Sequence, residues 1–197
     1  MSSVTPRAAR LAAWIAIPVA LIASGAVVST ASYSAFSATT VNPTSNWNAG
    51  SVALSDDDSN TALFNATALK PGSTGSNCIT VTSTGTLPSA VKLYGTGAAT
   101  TNALSGSINL TVEQGTGGGF GSCTNFVAAT TGGTVFSGTL ASFGSSKTDY
   151  STGVGSWAPN GAGTQVYKIT YTVPTSAPSS VMGGTASLGL TWEAQNS

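Results

Sequence analysis

Histidine is absent from this 197-residue chain. Its absence removes imidazole acid–base catalysis, every Ser–His or Cys–His nucleophile, and the usual zinc ligand sets. Carboxylates, thiols and aromatic rings remain. Three acids adjoin at Asp56-Asp57-Asp58. Asp56, Asp58 and Asn60 have the one-three-five spacing of a calcium loop. Position six, however, is Thr61 rather than Gly, and position twelve is Thr67 rather than Glu, so the helix–loop–helix site fails. The run reads as a solvated acidic turn, with Asp56, Asp58 and Asn60 kept as a calcium candidate. Glu113 and Glu193 are a carboxylate pair of the kind glycoside hydrolysis uses, but both fall on alternating runs where solvent-facing roles are the default. Glycines 115, 117, 118, 119 and 121 lack the Lys and the helix that a phosphate loop needs, and read as a mobile surface loop. Tyr150 and Trp157 are candidate ligand-contact rings, because a flat ring offers a stacking face; buried aromatics of a sandwich are the commoner case. No catalytic residue, metal or cofactor is expected.

Composition narrows the classes further. Charged residues make up 6% of the chain, against roughly 25% in ordinary soluble domains. Without Arg7 and Arg10 the six cationic residues fall to four, against six acidic ones, a balance of −2. That leaves no basic patch for nucleic acid. A near-neutral surface of hydroxyls and amides also repels its own copies weakly, which eases self-association.

The N-terminus has the order of an export signal. Arg7 and Arg10 precede an apolar, uncharged run from Leu11 to Val28, and the small residues Ser29, Thr30, Ala31 and Ser32 follow. The run approaches the length of a membrane span, so any membrane contact is expected only through an uncleaved signal. Two cuts for signal peptidase fit these residues, between Ala31 and Ser32 or after Ala35, before Phe36. In an exported chain the two cysteines are expected to form one disulfide, Cys78–Cys123.

The elements that must position these residues are strands. Val52 and Leu54 alternate after Gly50, and the Pro71-Gly72 turn precedes a run from Cys78 to Thr84. Ala90–Tyr94 is expected to pair with that run across the Gly85–Pro88 turn. Gly95–Gly106 reads as a loop. Ser107–Glu113, Thr134–Leu140, Gln165–Val173 and Thr185–Glu193 read as strands, with Ile108, Leu110, Val112, Tyr167, Ile169, Tyr171, Leu188, Leu190 and Trp192 facing inward. Residues 141–163 read as a long polar connection. No helix is expected after the signal. Seven or eight short alternating runs with Gly, Pro and Asn turns describe an all-β antiparallel sandwich.

Two local patterns carry a resemblance. The first is Tyr33, Ala35 and Phe36, a polar spacer, then Trp47, Ala49, Gly50, Val52 and Leu54; the second is Leu69-Lys70-Pro71-Gly72-Ser73. Together they resemble the TasA/camelysin family, whose signals are handled by the dedicated SipW signal peptidase. The resemblance covers about residues 10–95. It implies a jelly-roll sandwich, a cut after Ala35, and self-association into filaments of a biofilm matrix. In such filaments the extended segment Phe36–Asn48, with Phe36, Val41 and Trp47, would be donated as a strand to the next subunit. The expected organisation is a signal peptide over 1–35, an extended segment over 36–50 and one β-sandwich over 51–197. The expected function is that of a secreted, non-catalytic structural protein of the cell surface or extracellular matrix. A secreted carbohydrate-binding module is the alternative, and a camelysin-like metallopeptidase, which the missing His opposes, is the third.

Overall fold

The computed structural model describes residues 49–196. The chain divides into two units at Asn48, and every described element lies in the second, Ala49–Ser197. The export signal, both candidate cuts and the Phe36–Asn48 segment lie outside the described residues.

The second unit is all-β and antiparallel, built on two sheets. The strands are β1 (Leu54–Asp56), β2 (Thr74–Ser83), β3 (Ser89–Thr100), β4 (Asn109–Thr116), β5 (Val127–Ala128), β6 (Thr134–Thr139), β7 (Gly163–Thr172) and β8 (Ala186–Asn196). The larger sheet runs β1-β2-β7-β4, and β4 then pairs with β5 at one end and β6 at the other. The smaller sheet is the ribbon β3-β8. Its β3 edge is covered by an irregular stretch: Ser89, Val91 and Leu93 donate their N–H groups to the carbonyls of Pro159, Trp157 and Val154.

Alternation explains the core. Ile79 and Val81 of β2, Leu110 and Val112 of β4, and Tyr167 and Ile169 of β7 pack against Leu93 of β3, all of them buried. Leu188, Leu190 and Trp192 of β8 pack on this cluster from the second layer. A smaller cluster of Leu104, Ile108 and Val173 fills one end.

Four expectations are corrected. The Cys78–Thr84 and Ala90–Tyr94 runs do not pair: β2 bonds to β1 and β7, and β3 bonds to β8. Both runs bury one face, and Ile79 and Val81 meet Leu93 across the core instead of beside it. The loop expected at Gly95–Gly106 is strand as far as Thr100, followed by a 3-10 turn at Leu104–Ser107. The expectation of no helix fails at α1 (Leu140–Ser146), whose N-terminus is capped by Thr139 Oγ1 accepting from Ser142 N at 3.0 Å. Finally, the glycine-rich loop is not a loose excursion, because the Cys78–Cys123 disulfide fastens it to β2.

Candidate functional site

The chemistry-bearing residues are dispersed and already engaged. Glu113 pairs with Lys168 at 3.6 Å on the large sheet. Glu193, on the small sheet, accepts from Tyr94 Oη at 2.9 Å and from Gln195 Nε2 at 2.8 Å. Hydrogen bonding to that carboxylate is the main reason the Tyr94 phenol is raised. Alternation puts both acids on outward faces of different sheets, opposite the inward Val112 and Trp192. They do not form a carboxylate pair.

In the calcium candidate, Asn60 N donates to Asp58 Oδ1 at 2.7 Å and Asp58 N donates to Asp56 Oδ1 at 3.4 Å. These carboxylates close a local turn in which Ser59 and Asn60 both take left-handed backbone, at φ 52° and 62°. Burial, then the hydrogen bond with Asp58, raises the Asp56 carboxyl. Among the described residues no group of three or more His, Cys, Asp or Glu is placed to hold a metal ion. The middle acid, Asp57, was not singled out by spacing, yet it makes the longest-range contacts. Its two oxygens accept from Thr80 N at 2.8 Å and from Phe120 N at 2.9 Å.

The two loop aromatics are both partly buried and make contacts within the fold. Trp157 packs on the central core cluster, and its carbonyl accepts from Val91 N at 2.9 Å. Tyr150 is half-buried and its hydroxyl donates to Ala90 O at 3.0 Å.

The surface best suited to recognition is an edge. Because Val91 and Leu93 of β3 turn their N–H groups toward residues 154–157, Lys92 and Tyr94 bond to β8 through their partners Glu193 and Thr191. By the same alternation Leu190, Trp192 and Ala194 point their backbone N–H and C=O away from β3. No described strand pairs with that side of β8. The side chains of these residues turn inward, so an edge without a described partner strand is backed by apolar surface.

An apolar cleft of about 330 Å³ opens there, between Leu188 and Leu190 of β8, Leu110, Ile169 and Tyr171 of the large sheet, and Phe64 of the β1–β2 connection. Phe64 meets Tyr171 edge-on, with ring centroids 5.3 Å apart. A second hollow of about 630 Å³ shares Ala66, Leu69, Ile108 and Ala186 with the first and extends it toward Met182, whose side chain is 73% exposed. An extended, partly apolar segment could both satisfy the β8 edge and fill the cleft. Among the described residues no helix is long and apolar enough to cross a membrane. No family model matches the chain, and no curated protein matches it either.

Proposed function

We propose that this protein is a secreted, non-catalytic structural subunit of the cell surface or extracellular matrix, similar to TasA, that associates by strand addition. The observation that carries the reading is the edge of β8 that no described strand pairs, above an apolar cleft. Strand addition takes its affinity from main-chain hydrogen bonds and its specificity from pockets for alternate side chains, and this edge offers both. The donor is the segment Phe36–Asn48 of a neighbouring copy, with Phe36, Val41 and Trp47 as the residues that enter the cleft. Secretion is supported by the order of the N-terminal residues and by a disulfide, a bond that persists in oxidising compartments. The two-layer, antiparallel architecture is compatible with a jelly roll that a donated strand would complete beside β8.

The test is deletion of residues 36–48, followed by sedimentation and negative-stain microscopy of the secreted protein. Loss of filaments, reproduced by Leu190→Lys in the cleft, is the expected result. Filaments of unchanged form from the deleted chain would overturn the donated-strand reading.

A further inference from the structure

The edge of β2 remote from β7 has the opposite character to that of β8. It is closed three times in succession. β1 first pairs Ser55 with Thr82. Asp57 then reaches alongside, its Oδ1 accepting from Thr80 N, which therefore points away from β7. Phe120 next forms a parallel bridge with Cys78, and its own N–H donates to the second oxygen of Asp57. One carboxylate thus joins the strand edge to a loop 63 residues further along the chain. The disulfide between Cys78 and Cys123 fastens the same loop covalently.

The glycines of this loop have a reason in that approach. A side chain at Gly119 would crowd Asp57 Oδ2, and one at Gly117 (φ 80°) would collide with the Asn125 carbonyl. The strand being covered is a hazard when bare. Its ten residues, Thr74–Ser83, carry no charge and no Pro, and three Thr with Ile79 and Val81 favour the strand, features that let an open edge pair between copies. Below Cys78, Ser76 and Thr74 continue the edge with no described strand beside them.

We infer that the Asp57 carboxylate, the Gly117–Cys123 loop and the Cys78–Cys123 disulfide form a guard that denies the β2 edge to the β2 edge of a second copy, and so confines strand addition to β8. The final clause rests on the proposed function; the guard itself does not.

The experiment uses the full chain in a Leu190→Lys background, which silences the β8 cleft. Light scattering on a sizing column and amide exchange at Ser76, Cys78 and Thr80 compare three proteins: the guarded chain, Asp57→Ala with the disulfide intact, and Asp57→Ala combined with Cys78→Ala and Cys123→Ala. The triple variant is expected to dimerise at least about tenfold more tightly than the guarded chain, and Ser76→Lys placed on the bared edge should reverse the gain. Asp57→Ala alone keeps the staple and the fold. Its amides at Thr80 and Phe120 should exchange about tenfold faster, because each has lost its only acceptor. Unchanged exchange in that variant, or a folded triple variant that stays as monomeric as the guarded chain, would overturn the guard. Should the chain with Leu190 intact also remain monomeric, strand donation at β8 fails, while the comparison among the three proteins still decides the guard.

Discussion

At the scale of single residues, Asp57 and Tyr167 show what hydrogen-bond accounting decides. Burial by itself would raise the Asp57 carboxyl, but the N–H groups of Thr80 and Phe120 outweigh it and hold the group below its ordinary range. A depressed carboxylate contributes stability above the unfolded value of about 3.9 and loses it as pH falls through the lower folded value. Thermal melts should therefore drop below about pH 4, and Asp57→Ala should flatten that acid limb. At neutral pH the same substitution is expected to lower stability by only about 1–2 kcal/mol, since water reaches the exposed site and replaces part of what is lost. Tyr167 is the reverse case. Its hydroxyl is buried with no partner among the described residues, as is the Trp192 indole nitrogen, and burial pushes the phenol far above its usual range. Tyr167→Phe removes the orphaned group and keeps the ring that packs on Trp192 at 5.5 Å. Chemical denaturation should show it to be more stable by about 1 kcal/mol; a loss instead would place a hydrogen-bond partner at that oxygen.

At the scale of elements, α1 buries one side chain completely while Leu140 packs on both core clusters. Phe143 is fully buried, packs edge-on against Phe136 at 4.8 Å, and underlies Gly95 of β3. Phe143→Ala should cost about 3–5 kcal/mol by urea unfolding. Breaking the 45-residue link between Cys78 and Cys123 should cost about 3–4 kcal/mol on the chain-entropy model, measured as a shift in the denaturation midpoint between oxidised and reduced protein. The contrast between α1 and β7 shows how much of the fold was legible in the sequence. In β7 and β4 the strict alternation around Tyr167, Ile169, Leu110 and Val112 named the buried face directly. In α1 the signal was only Leu140 and Phe143, three apart, among Ser and Gly, too short to compete with a polar connection. The upper half of β3 was hidden because Gly95-Thr96-Gly97-Ala98 has the composition of a loop, and only its partner strand makes it extended. The β2–β3 pairing failed because a short turn between two alternating runs fits a hairpin equally well as a crossing from one layer to the other. The disulfide was legible from the count of two cysteines. Asp57 was not, because its partners are set by folding and the one-three-five spacing pointed to its neighbours.

At the scale of the whole molecule, association and charge belong together. The described unit holds four Lys and six acids, and one ion pair joins Lys168 to Glu113 among them. Contacts built on backbone hydrogen bonds and Leu or Phe side chains are weakly screened, so raising salt from about 50 to 500 mM should leave the assembly midpoint within about twofold, where a charge-driven assembly would fall steeply. Sedimentation at the two salt concentrations checks this. The pairing of β3 with β8 also governs when the molecule can form at all. Ser89 is in register with Asn196, and Thr100 with Ala186. The second layer therefore cannot close until β8 has emerged, and closing so long a loop is entropically slow. Until β8 is present, the inner face of the large sheet lacks the Leu188, Leu190 and Trp192 side chains that pack against it. On the proposed secreted reading the chain would cross a membrane still threadable, and β8 would act as the timer for folding.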